Sequence, residues 1–178
     1  MNNSLIAVRY AKALYVLSVE KNITESIYKD IIAVDQFLSE STDLQVFLTN
    51  PIHKPSQKKK IISEIWSTQI HLVTLNFLNL VIDQKRESMI KDILRDFRDM
   101  YRAGKNIKNV TFISATPLTD AFQYEIETLL QKAYQSEIEL HIEVKEDLLG
   151  GFILVVDGKL MDASLSNQIK QIKKQLIG

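Results

Sequence analysis

A chain of 178 residues has room for one domain or two small ones, and its 46% hydrophobic content is enough for a packed core. Its 22 basic and 22 acidic residues balance to a formal net charge of zero, which argues against nucleic acid as a partner, because such binders carry a basic excess. There is no cysteine, so disulfides, thiolate nucleophiles and zinc–thiolate sites are excluded. Met1-Asn2-Asn3 lacks the basic residues of a secretory signal, and Arg9 and Lys12 interrupt the first apolar stretch. The most apolar helix-length window, 72–82, is broken by Thr74, Asn76 and Asn79. It falls short of the roughly 20 apolar residues of a membrane span.

Up to Gly104 the pattern is helical, in six segments. The first, over 5–19, repeats apolar residues at Ile6, Tyr10, Leu14 and Leu17. Thr24 is the N-cap of a second with Ile27, Ile31, Val34 and Leu38 inward. Thr42-x-x-Gln45 forms a capping box for a short third, which stops before Pro51. Pro55 fits the first turn of a fourth, carrying Ile61, Ile62, Ile65 and Trp66. A fifth is expected over 68–84. The sixth, over 87–102, places Ile90, Ile93, Leu94, Phe97 and Tyr101 on one stripe, with Gly104 as its C-terminal cap. Short connections imply a compact antiparallel bundle.

Strands appear after Gly104. Residues 110–115 are a strand candidate. Thr119 caps a helix with Phe122, Ile126, Leu129, Leu130 and Ala133 inward. Ile138, Leu140, Ile142 and Val144 alternate with Glu137, Glu139, His141, Glu143 and Lys145, a period of two that marks a strand with one buried face. A hairpin follows, and then a last helix carrying Leu165, Ile169, Ile172 and Leu176. The expected fold is mainly α with a small α/β part: a six-helix bundle over 1–105, then a β-α-β-β-β-α module over 106–178. Residues 1–105 hold 15 basic and 12 acidic side chains, and residues 106–178 hold 7 and 10, so the halves differ in sign. That suggests two binding surfaces more than one active site.

Little in the sequence points to catalysis. The stretch LLGGFILVVDGKLMDASL over 148–165 holds three of the five glycines. It fails the P-loop pattern, since Leu160 follows Gly158-Lys159 and Ile153 stands where the first glycine belongs. Gly150 and Gly151 precede a strand-like run and do not open a helix, so a dinucleotide fingerprint fails too. Asp157-Gly158 instead signals a type I′ hairpin. His53, His71 and His141 lie far apart, with no spacing suited to zinc. Glu137, Glu139 and Glu143 share a strand face that could meet a cation, but reads first as a solvated face. Lys58-Lys59-Lys60 lacks interleaved aromatics for RNA, and its place at a helix start opposes the dipole unless an acidic neighbour compensates.

Surplus apolar surface is the anomaly. Apolar residues of the first helix cover roughly two-thirds of its circumference, beyond the stripe a bundle helix needs. The fifth carries two apolar stripes, Leu75, Leu78 and Ile82 on one and Val73, Phe77, Leu80 and Val81 on the other, separated by Asn76, Asn79 and Asp83. Periodicity leaves both explanations open: the two helices are central, or each keeps a face for a partner.

Four segments in order carry a resemblance. They are VRYAKALY at 8–15, LNFLNLVIDQKRESMIKDILRDF at 75–97, VTFISATPLT at 110–119 and the glycine-rich stretch at 148–165. Together the chain resembles the delta subunit of bacterial F-type ATP synthases, whose mitochondrial counterpart is the oligomycin sensitivity-conferring protein. It departs from the family at Asp157-Gly158, where Gly-Asp is usual, and at Ala163, where glycine is common. The resemblance implies a non-catalytic stator subunit without cofactor, metal or nucleic acid. Its N-terminal bundle would bind N-terminal helices of the alpha subunits, and its C-terminal domain the b subunits of the peripheral stalk. It would be peripheral, on the cytoplasmic face of the bacterial cell membrane, and would meet the membrane only through the complex. The family's groove between the first and fifth helices maps here onto Tyr10, Ala11, Leu14, Phe77, Leu80 and Val81, which favours the partner face over the central position. The alternative is a generic helical adaptor of another complex.

Overall fold

The computed structural model describes residues 3–148 and 150–163. It is mainly helical with a small mixed sheet. Seven α-helices occur among the described residues: α1 (Asn3–Glu20), α2 (Thr24–Glu40), α3 (Thr42–Thr49), α4 (Pro55–Trp66), α5 (Leu72–Asp83), α6 (Ile90–Lys105) and α7 (Asp120–Tyr134). A 3₁₀ turn, Glu87–Met89, leads into α6. The strands are β1 (Ile107–Ser114), β2 (Glu137–Val144), β3 (Phe152–Val156) and β4 (Lys159–Asp162). The expected last helix, with Leu165, Ile169, Ile172 and Leu176, lies outside the described residues. The chain divides into two compact units, one ending at Tyr101 and the next starting at Arg102. The division falls inside α6, ahead of position 105. Arg102 Nε donates to Glu139 Oε2 on β2 at 2.7 Å, which ties the end of α6 to the sheet.

In the first unit the helical period is obeyed where the apolar stripe is narrow. Ile27, Ile31, Val34 and Leu38 of α2 are buried, as are Ile90, Ile93, Leu94, Phe97 and Tyr101 of α6. The ends of the helices differ from expectation: Ile23, not Thr24, holds the N-cap position of α2, with no side-chain cap, and Thr24 is the first helical residue. Ser41, not Thr42, caps α3, accepting from the Leu44 N–H at 3.4 Å. Gln45 reaches back to the Leu38 carbonyl, so the capping box does not form at Thr42. α5 starts at Leu72 and not near Thr68, because the His71 ring Nδ1 accepts from the Val73 N–H at 3.1 Å and caps the helix there. Gly104 lies within α6; the left-handed residue that ends it is Asn106, at φ 55°. Asparagine tolerates that conformation where other side chains are strained.

The lysine run has its acidic neighbours. Lys58 Nζ donates to Glu87 Oε1 at 2.8 Å, both side chains nearly buried. Lys59 meets Asp83 at 2.7 Å and Lys60 meets Glu64 at 3.8 Å. These carboxylates offset the unfavourable placement of cations at the start of α4. Asp30 of α2 is also buried, and its Oδ2 accepts from Thr74 Oγ1 and from the His71 N–H.

The second unit is built on β1. The sheet order is β2-β1-β3-β4, with β1 parallel to β2 and antiparallel to β3, and β3 antiparallel to β4. Val110 faces Leu140 across one ladder and Val156 across the other. Val110, Phe112, Ile126, Ile138 and Leu154 form the core. α7 turns differently from its expected face. Ile126 is buried and Leu130 half-buried, but Phe122, Leu129 and Ala133 are exposed. Gln123 explains the rotation: its amide donates to the Leu118 carbonyl at 3.1 Å, so the inward arc runs through Gln123, Ile126 and Leu130. The hairpin is as expected, with Asp157 at φ 48° and Gly158 at φ 78°, the two left-handed residues of a type I′ turn. A Cβ at Gly158 would meet nothing within 4 Å.

Candidate partner groove

α1 buries one seam and leaves another open. Ala7, Ala11, Leu14 and Ser18 form the buried seam, at the i, i+4, i+7, i+11 spacing of one helix face. Ser18 closes its hydroxyl on the Tyr15 carbonyl at 2.7 Å, so burying it leaves no polar group unsatisfied. Tyr10, Ala13 and Leu17 lie about 100° round the helix from that seam. On α5, Thr74, Leu78, Val81 and Ile82 point into the unit. Val73, Asn76 and Leu80 occupy the neighbouring arc.

The two open arcs enclose a groove of about 610 Å³. Its α1 wall is Arg9, Tyr10, Ala13, Leu14 and Leu17, continued by Lys21 just past the helix end. Its α5 wall is Val73, Asn76, Phe77 and Leu80. Tyr10 and Phe77 meet edge to face, ring centroids 6.3 Å apart at 66°, and line both walls at once. Most of the lining is apolar, and its charged side chains, Arg9 and Lys21, are both cationic. Its lining holds no carboxylate or histidine, and no hydroxyl other than that of Tyr10.

Of the six residues expected to form a groove, Tyr10, Leu14, Phe77 and Leu80 line this one. Leu80 is 48% exposed, while Leu14 and Phe77 present only an edge. Ala11 and Val81 do not line it. Each is 0% exposed, because each sits about 100° further round its helix than the neighbouring groove residue, Tyr10 or Leu80, and so falls on the core seam. Missing from the expected set are Arg9, Ala13, Leu17, Lys21, Val73 and Asn76. Tyr10, Ala13 and Leu17 are related by i+3 and i+7, so a helical projection centred on Tyr10 finds two of them. Asn76 and the two cations carry no apolar signal and could not be found that way.

Among the described residues, the glycine-rich stretch folds into the β3–β4 hairpin and the acidic strand face meets basic neighbours. Asp157 accepts from Lys108 Nζ at 2.7 Å and from the Asn109 N–H at 3.2 Å, which pins the hairpin to β1. Glu139 is engaged by Arg102, and Glu143 lies 3.7 Å from Lys145. Among the described residues no group of three histidine, aspartate or glutamate side chains converges as a metal cage requires.

Residues 6–176 match the model of the ATP synthase delta (OSCP) subunit family. The chain belongs to this family. The ATP synthase subunit delta of Prochlorococcus marinus subsp. pastoris is 34% identical over 168 residues, covering 94% of this chain and 93% of that one. The subunit delta of Synechococcus elongatus is 32% identical over 171 residues, with the same coverage. A chain in a cryo-electron-microscopy structure of the Toxoplasma gondii mitochondrial ATP synthase hexamer superposes with a TM-score of 0.83 over 97% of both chains, and at 22% identity shows a shared fold. The family consists of non-catalytic subunits of F-type ATP synthases, and this chain is accordingly a stator component. Among the described residues no helix is long and apolar enough to cross a membrane.

Proposed function

We propose that this chain joins the catalytic head to the peripheral stalk, with the groove between α1 and α5 receiving an N-terminal helix of an alpha subunit. The observation that carries this reading is the open apolar groove itself, a surface with the dimensions and chemistry of a helix-in-groove site. A stator joint has to hold against torque and has no bond to make or break. Apolar burial gives a grip proportional to area and indifferent to small changes of direction, which suits that task.

In this reading α1 to α6 act as one six-helix bundle for the head, over residues 1–105. The α/β domain over 106–178 holds the b subunits. The exposed Phe122 and Leu129, seven residues apart on one side of α7, support that assignment, because solvated apolar side chains grouped on one face mark interaction surfaces. Two attachments on one chain make the connection bivalent, so neither must be tight alone. The chain would then be peripheral at the cytoplasmic face of the cell membrane. Titrating a labelled peptide of the alpha-subunit N-terminus into the full chain tests the head contact. Saturable one-to-one binding, competed by unlabelled peptide, is the expected result. Absence of binding would remove the groove from the head interface.

A further inference from the structure

The groove carries information beyond its apolar lining. Arg9 and Lys21 stand at opposite ends of its α1 wall, twelve residues apart by number, or about 18 Å along the helix axis. Neither forms an ion pair or a side-chain hydrogen bond among the described residues. Elsewhere in the same unit, Lys58, Lys59, Lys60 and Arg98 each meet a carboxylate. No acidic side chain lines the groove to neutralise the two ends. Between them lie the short Ala13 and the apolar Leu17, facing Val73 and Leu80 of α5.

We infer that Arg9 and Lys21 set the register of the occupant, selecting an amphipathic helix that carries an acidic side chain at each end of its apolar face. The inference rests on the groove being the docking site argued above. A helix has residues i and i+11 on one face, about 16–17 Å apart, which matches the span between the cations. An occupant with aspartate or glutamate at those two positions, and apolar residues at i+4 and i+7 between them, would satisfy both ends while filling the middle. A helix shifted by one turn would strand one carboxylate over apolar lining and lose its partner. Apolar contact alone does not distinguish such registers, since a methyl surface is non-directional; the paired charges do.

Two helical peptides with the same apolar stripe test this, one with Glu at i and i+11 and the other with Gln at both. Their affinities for the full chain are measured by fluorescence anisotropy at low and high salt. At low salt the Glu peptide should bind about three- to twentyfold tighter, as two exposed ion pairs allow, and the advantage should shrink as salt is raised. Arg9→Gln with Lys21→Gln should abolish the difference. Arg9→Glu with Lys21→Glu should reverse it, favouring the Gln peptide. Both positions are exposed, so folding is checked by an unchanged thermal melt. Equal binding of the two peptides to the unaltered chain overturns the inference while leaving the groove in place. Failure of both peptides to bind overturns the groove reading, and the inference with it.

Discussion

The carboxylate of Asp30 on α2 accepts the hydroxyl of Thr74 on α5 at 2.6 Å, with both side chains buried. The same oxygen accepts the backbone N–H of His71 at 2.9 Å, just ahead of α5. One side chain on a neighbouring helix therefore fixes where α5 begins and how it is rotated. That rotation puts Val73 and Leu80 in the groove and Val81 in the core. Asp30→Ala would leave a buried hydroxyl and a backbone donor without their acceptor, at a cost of about 1–3 kcal/mol for each group not rescued by water. Urea denaturation should show that loss. Alpha-peptide affinity should fall in the variant even at temperatures where it stays folded, because the α5 wall is no longer held in place. Unchanged stability would mean that the Asp30 contacts carry no net weight.

Adjacent residues on α5 should respond oppositely to the same substitution. Leu80 is 48% exposed and Val81 is 0% exposed. Leu80→Asp should change the melt little, within about 0.5 kcal/mol, as surface substitutions do. It should sharply weaken peptide binding, since the occupant would have to desolvate a charge. Val81→Asp should unfold the unit by several kcal/mol. A folded Leu80→Asp chain that still binds at full affinity would remove Leu80 from the site.

The Lys58–Glu87 pair joins the start of α4 to the turn before α6, with side chains 5% and 9% exposed. Lys58→Ala should cost about 3–5 kcal/mol, because Glu87 would be left buried without a counter-charge. Replacing both, with Lys58→Met and Glu87→Leu, should recover most of that loss. Chemical denaturation of Lys58→Met, Glu87→Leu and the double variant separates the ionic contribution from packing. If the double variant is as unstable as the single ones, the ion pair contributes more than the apolar pair that replaces it.

At the β3–β4 turn, the open space beside Gly158 makes backbone strain the main cost of a side chain there. Gly158→Val should destabilise the second unit by about 1–3 kcal/mol, because a β-branched residue is strained at φ 78°. Gly158→Asn should cost less, since asparagine accepts that conformation. Thermal melts of the three chains check the ranking. Equal stability of Val and Gly would exclude a strained turn.

What could be read beforehand follows the strength of the periodic signal. The stripe from Ile90 to Tyr101 and the alternation from Ile138 to Val144 identify their elements without ambiguity, and Asp157-Gly158 identifies its turn. Helix ends were less legible, because caps depend on which nearby side chain reaches a free N–H. His71 takes that role for α5, and histidine is not a residue one would choose for it. The face of α7 departs from its apolar pattern because Gln123, a polar residue, is drawn inward by the Leu118 carbonyl. The groove was legible as an excess of apolar residues on two helices. Its inner boundary was not, since Ala11 and Val81 look the same in sequence whether they face a partner or the core. Lys58 could be flagged as misplaced at a helix start, but Glu87 could not be assigned to it across an intervening helix.

The placement of β1 at the interior of its sheet bears on how the protein is made. β1 is the first strand to leave the ribosome, and both of its partners, β2 and β3, are synthesised after it. Until residue 156 has emerged, β1 has at least one row of unpaired backbone donors and acceptors, an edge that other chains could join. α1 to α6 have by then been translated, and their groove needs nothing from the strands. Translation order thus makes the groove available while the sheet is still open.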